Sequence, residues 1–209
     1  MLWQSVLDIF VTLLIVVDPP GIIPPFLALT ARKSEHQKKQ IAARAILISA
    51  IILIAFTVLG DSILNCLNIS LAAFSVAGGL LLFRAAFNMV MAQPSGIDAT
   101  TQEENKEAQH SSDISTFPLA IPLIAGPGAI SSVILLSRTG QDTWVMPSLV
   151  IVVVLVVLAI TYVCLRLSNP IVKLLGVTGT NVIGRIFGII LAALSIQFIF
   201  NGIAQFLKA

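Results

Sequence analysis

Charge is scarce in this chain. Lysine, arginine, aspartate and glutamate together make up 11% of its 209 residues, against 57% hydrophobic. A water-soluble domain keeps about a quarter of its residues charged, so the mean hydropathy of +1.00 calls for a bilayer as solvent. The net charge of +2 is too small to indicate nucleic acid, and aromatic-rich RNA motifs and zinc-finger spacings are absent. Cysteine is rare: Cys66 and Cys164 stand far apart and in no CxxC pair, which argues against a disulfide framework, a redox carrier and a thiolate metal site. His36 and His110 have no ligand-spaced partner, so no metal is expected. The spans hold no paired acids, no HExxH and no Ser/His set, and the chain has no GxxxxGK[ST]. An intramembrane enzyme and a nucleotide-driven pump are thereby disfavoured. No cofactor is expected, which leaves H+ or Na+, or the solute gradient itself, as the energy source.

What the chain does have is length of apolar sequence. Crossing a hydrocarbon core of roughly 30 Å takes about 20 residues of helix. Six stretches meet that test, near residues 5–30, 41–59, 71–91, 117–136, 146–165 and 183–206. The fifth is rich in Val and Ile, but lipid requires each backbone group to be satisfied within its segment, so helix is expected there too. The first stretch has no basic leader and runs on into prolines, so it reads as part of the fold rather than a signal peptide. The predicted class is all-α: six spans made of two inverted three-helix repeats, residues 1–92 and 116–209, joined by an acidic linker at 93–115.

That linker holds Asp98, Glu103, Glu104, Glu107 and Asp113 against one Lys106, the composition of a solvated tether. Lysines and arginines set the orientation. Arg32, Lys33, Lys38, Lys39, Arg44, Lys106, Arg166, Lys173 and Arg185 fall on one side, Arg138 and Lys208 on the other, and Arg84 within the third span. Both termini are therefore expected on the extracytoplasmic face of a bacterial-type inner membrane, with the linker in the cytoplasm.

Proline carries the strongest positional signal. Seven of the ten prolines (Pro19, Pro20, Pro24, Pro25, Pro118, Pro122 and Pro127) sit in the first and fourth stretches. A shift of 107 residues lays Pro20-Gly21 on Pro127-Gly128 and Phe10 on Phe117. Three spans per repeat is an odd number, so the second copy inserts upside down. Inverted repeats with broken helices are a feature of secondary transporters. Pro19 to Pro25 predicts a turn or two of non-helical backbone near mid-membrane, and Gly126-Pro127-Gly128 its counterpart. Both restarted helices would aim their positive N-terminal ends at a shared site.

Asp18 is the acid at mid-depth, where charge costs at least about 2.5–3.5 kcal/mol, and so reads as a proton carrier, a coupling-ion ligand or a partner for a substrate ammonium. It also has the makings of an N-cap ahead of Pro19. Arg84 could pair with Asp18, contact substrate or snorkel to the surface. Gly21 and Pro24 belong to the first break, and Ser131 and Ser132 follow the second. Gln197 and Asn201 share a helix face at i, i+4, as helix glue or as substrate contacts. Gly78-Gly79 and Gly184-x-x-x-Gly188 read as close-packing surfaces.

Asp18-Pro19-Pro20-Gly21-Ile22-Ile23-Pro24-Pro25-Phe26 resembles the D-P-x-G-x-x-P-x-F motif of the MarC family of six-span bacterial membrane proteins. Residues 117–128, FPLAIPLIAGPG, resemble that family's second motif. Ala77-Gly78-Gly79, Arg185-x-x-Gly188, Gln197 and Asn201-Gly202 are similar to its pattern as well, so the resemblance covers nearly the whole chain. Arg84 departs from it, since that point of the third span is usually apolar in the family. The resemblance implies ion-coupled transport of small neutral amino acids such as glycine and alanine. The multiple-antibiotic-resistance name attached to the family implies the rival, an exporter of toxic or amphipathic compounds. A membrane protein with no transport role is the third reading. The expected partners are a small solute and the lipid bilayer, with a homo-oligomer left open.

Overall fold

A computed structural model describes residues 2–31, 33–91, 114–138 and 145–208. Residues 93–113 of the acidic linker, with its carboxylates, and Arg32 lie outside the described residues, so the readings of Gly96 and His110 do too, whereas Ile114 and Ser115 are described. The described residues are almost wholly helical, with no strand among them. In order they form α1 (Leu2–Val17), α2 (Pro19–Leu29), α3 (Glu35–Cys66), α4 (Leu71–Val90), α5 (Ser115–Ile124), α6 (Pro127–Ser137), α7 (Val145–Arg166) and α8 (Ser168–Lys208). Five stretches are long and apolar enough to cross a membrane, namely Trp3–Leu29, Glu35–Gly60, Leu71–Val90, Val145–Arg166 and Val182–Leu207. The pair α5–α6, bent by 54°, makes a sixth when counted as one span.

Local chemistry fixes where these elements begin. Ser34 opens α3 with a capping box, accepting from the Gln37 amide at 3.3 Å while the Ser34 amide donates to the Gln37 side chain at 2.9 Å. Ser70 caps α4 by accepting from the Ala73 amide. Inside the spans, Thr57 and Thr161 donate their hydroxyls to the carbonyl four residues back, so these two buried groups are satisfied without leaving their helix. The outward faces carry Leu80, Phe83, Val152, Val156, Ile189 and Phe200, all exposed, as lipid-facing surfaces require.

The interior divides into two packing units. The larger core joins α1, α2, α3, α5, α6 and α7 around Leu13, Phe26, Leu53, Leu119, Val133 and Leu158. The smaller joins α4 and α8 to α1 through Leu82, Ala86, Met89 and Leu191, with Ile15 reaching in from α1. The most extensive helix pair is α4 with α8. Small residues bring them together: a Cβ on Gly79 would meet the Ser195 carbonyl at 2.8 Å, one on Gly188 the Ala86 carbonyl at 3.0 Å, and one on Gly202 the Ala72 carbonyl at 2.7 Å. As the partner number rises along α8 it falls along α4, so the two helices run antiparallel. Gly78 packs on Ser131 of α6, whereas Gly184 has nothing within 4 Å among the described residues.

The first break differs from the expectation. The backbone from Asp18 to Pro25 does not unwind over a turn or two. Asp18 alone leaves the helix, with φ 47° and ψ 66°, and α2 is helical through Pro24 and Pro25. Two of its prolines occupy the first two positions of α2, where an amide has no intrahelical partner to lose. Helical geometry is disfavoured for the residue before a proline, and aspartate is among the few residues that accept a left-handed one. The second break is the larger. Ahead of it, α5 is no regular helix but a wide coil in which Phe117 (φ −130°, ψ 131°) and Ile121 (φ −127°, ψ 125°) are extended, each before a cis-proline. A further kink at Gly176 (φ 66°) divides α8.

Candidate functional site

The break between α1 and α2 is economical. The Asp18 amide closes α1 on the Leu14 carbonyl at 3.0 Å, and the Asp18 carbonyl opens α2 by accepting from the Ile22 amide at 3.2 Å. The Asp18 carboxylate turns back and accepts from the Gly21 amide at 3.2 Å. Pro19, Pro20 and Gly21 therefore leave no amide of the first α2 turn unsatisfied. The expectation that both restarted helices present free N-terminal amides fails here. What the break does free is carbonyl oxygen: Pro19 and Pro20 have no amide to give Ile15 and Val16 at the end of α1. A carboxylate thus sits at the negative end of α1.

The break between α5 and α6 has the opposite character. Gly126 is extended and offers no side chain as a cap. The Ile130 amide finds the Gly126 carbonyl at 3.0 Å, whereas the amides of Gly128 and Ala129 have no acceptor among the described residues. A Cβ on Gly128 would meet Leu82 at 2.8 Å, and Val16 is the next apolar neighbour at 3.7 Å. Glycine is what lets this helix end approach both α1 and α4.

The two breaks line one cavity of about 230 Å3. Val16, Val17, Asp18 and Gly21 come from the first, and Pro122, Gly126, Pro127, Gly128 and Ala129 from the second. Leu81, Arg84, Ala85 and Asn88 of α4 and Leu191 of α8 close it. It lies on the seam between the two cores. Arg84 and Asp18 share it without forming an ion pair. The cavity has an acceptor side, built from Asp18 and the end of α1, and a donor side, built from the start of α6.

Of the residues singled out in the sequence, Asp18, Gly21, Arg84, Gly126, Pro127 and Gly128 come together here. Four do not. Pro19 is buried behind the break and Pro24 continues α2, both away from the lining. Ser131 is packed under Gly78, and Ser132 is fully buried with no partner for its hydroxyl. Gln197 is exposed, lies outside the lining and donates its side-chain amide to Asn201 at 2.9 Å within one helix. Asn88 was missed. Its signal was present, one helical turn beyond Arg84 on the same face. No group of three or more metal-ligating side chains occurs among the described residues.

A family model described as MarC family integral membrane protein matches residues 3–207. A UPF0056 membrane protein of Archaeoglobus fulgidus is 38% identical over 94% of this chain and 91% of its own length. YvbG of Bacillus subtilis, also named a UPF0056 membrane protein, is 36% identical over 97% of this chain and 96% of its own. YhcE of Escherichia coli, named likewise, is 36% identical over 93% and 89%. No solved structure matches the chain.

Proposed function

This chain belongs to the MarC family of integral membrane proteins, and we propose that it is a secondary transporter of a small neutral amino acid or a similar small polar solute, coupled to an ion gradient. The observation that carries the proposal is one cavity in which a carboxylate and a helix C-terminal end lie at one break, and an arginine and two amides with no acceptor among the described residues lie at the other. A zwitterion matches that division. Its carboxylate goes to the amides of Gly128 and Ala129, with Arg84 adding charge of the right sign. Asp18 and the end of α1 take a cation, either the solute's ammonium or a coupling H+ or Na+. The volume, about 230 Å3, lies below the roughly 300–1,000 Å3 of sites for drug-sized ligands, which suits a small solute.

Alternating access needs two bodies that can move about a fixed site, and the seam between the two cores provides the line for it. The halves are inverted copies in this mechanism. Three contacts support that: α1–α7 has its counterpart in α3–α5, α2–α8 in α4–α6, and α2–α7 in α3–α6, while α4 meets its own equivalent α8 antiparallel. A two-fold axis in the membrane plane relates elements in this way. The chain performs no catalysis on this reading. An exporter of amphipathic compounds is disfavoured because no aromatic ring is among the described residues that line the cavity.

Counterflow in proteoliposomes tests the proposal. Vesicles preloaded with unlabelled glycine, alanine or serine should transiently accumulate the labelled solute, and the Asp18→Ala protein should not. Absence of counterflow across a panel of small neutral amino acids, together with efflux of an amphipathic dye, would establish the exporter instead.

A further inference from the structure

Among the described residues the chain leaves one packing unit for the other at two joints, and each holds a left-handed residue. The first is the turn from α3 to α4, where Asn68 has φ 53°. The second lies inside α8, where Gly176 has φ 66° and ψ 173°, a region that is essentially closed to any residue but glycine. The two stretches on either side of Gly176 belong to different bodies. Upstream, the chain continues α7: the Leu167 amide bonds the Val163 carbonyl and the Ile171 amide the Leu167 carbonyl, both at 2.9 Å. Ser168 is buried, and the Asn169 side chain donates to the Glu35 carboxylate of α3 at 3.2 Å. Downstream, α8 belongs with α4: Gly188 packs on the Ala86 carbonyl, Gly202 on the Ala72 carbonyl, and Leu191 joins Leu82 in the smaller core. The central cavity spans the same division. Leu191 of α8, with Arg84 and Asn88 of α4, lines one side, and Asp18 and Gly128 stand among the helices of the larger core.

We propose that Gly176 is the pivot between two moving bodies: residues 168–175 stay with the larger core, and α8 from residue 177 onward turns with α4 as one unit. Asn68 is the second joint of that unit. The turn changes which side of the membrane the central cavity opens to, because the cavity wall from α4 and α8 moves while Asp18 and Gly128 stay in place. This rests on the transport reading given above and adds to it where the bodies are joined and which body each part of α8 follows.

Spin-label distances and cross-linking test the pivot, in a background with Cys66 and Cys164 replaced. Labels at Leu174 and Ile189, both exposed, stand on opposite sides of Gly176, whereas Leu174 and the exposed Leu47 of α3 stand on the same side. Added alanine should change the Leu174–Ile189 distance and leave Leu174–Leu47 as it was. The reverse pattern would overturn the pivot. Glu35→Cys and Asn169→Cys, joined by a short bismaleimide, lock two groups of the same body, and neither lines the central cavity. Alanine counterflow should therefore run as in the unjoined protein, and its loss on joining would place the motion upstream of Gly176. Gly176→Ala is strained in the arrangement seen here and should slow counterflow by about tenfold in a protein of unchanged helix content. Counterflow at the parent rate would overturn the role of Gly176, and a variant that does not fold leaves the decision to the labels and the cross-link. If the parent shows no counterflow with any small neutral amino acid, the transport reading fails. Labels that then move on neither side remove the pivot as well.

Discussion

Asp18 combines two roles that are usually separate. Its carboxylate caps α2 through the Gly21 amide, and the same carboxylate faces the central cavity. Asparagine keeps the accepting oxygen and tolerates left-handed backbone equally well, but it cannot carry a negative charge. Asp18→Asn is therefore expected to insert and fold as the parent does while losing concentrative uptake, and exchange of solute is expected to persist. Alanine loses the cap as well, about 1 kcal/mol, and meets the left-handed penalty of about 1–2 kcal/mol. Asp18→Ala should thus also lower the thermal unfolding midpoint in detergent. If Asp18→Asn still concentrates solute at matched protein levels, the carboxylate is a cap only. Gly21 is tied to the same carboxylate, because a Cβ there would overlap it. Gly21→Ala should consequently mimic the loss of the Asp18 cap without touching Asp18, which a matching drop in unfolding midpoint would reveal.

Among the elements, the antiparallel pair α4–α8 depends most directly on small residues. Gly79 has the Ser195 carbonyl and Ile199 where a Cβ would go, at 2.8 Å and 2.6 Å, and backbone cannot yield as a side chain can. Overpacking a filled interface costs about 1–3 kcal/mol, so Gly79→Ala should be destabilising by that order. Gly184, on the same helix pair, meets no described residue within 4 Å of where a Cβ would stand. Gly184→Ala should be neutral or gain up to about 1 kcal/mol from helix propensity. Unfolding midpoints of the two variants, compared side by side, check the interface, and equal shifts would show that the close approach does not hold in the membrane. Both glycines have the same i+4 or pairwise appearance in sequence. Only the facing helix distinguishes them.

Across the whole molecule, nine basic residues on one side against two on the other lead to the expectation that both termini face outside. In a background with Cys66 and Cys164 replaced, Leu2→Cys and Ala209→Cys should react with an impermeant thiol reagent from outside intact cells, and Gly96→Cys should not. Labelling of position 96 from outside would reverse the assignment. The seam between the two cores carries a related expectation. If the larger core and the α4–α8 unit move against each other, access to the central cavity should change with solute. A cysteine at Asn88 should then react faster or slower when solute is present, since Asn88 lines the cavity from the α4 side.

The sequence by itself determined the class of solvent and the positions of the spans. Hydrocarbon demands about 20 apolar residues and full backbone satisfaction, so residues 71–91 and 146–165 map closely onto Leu71–Val90 and Val145–Arg166. The 107-residue shift also found both breaks, because proline cannot donate a hydrogen bond wherever it falls. Tertiary structure decided the rest. How far a break unwinds depends on whether neighbours satisfy the freed groups, and Asp18 seals the first within one residue while Gly126 leaves the second open. Whether a polar side chain meets a cavity depends on the opposing helix, which gave Asn88 a place in the site and left Gln197 with Asn201. Periodicity along one chain fixes which residues share a face, and only the packing of other helices against that face fixes what they touch.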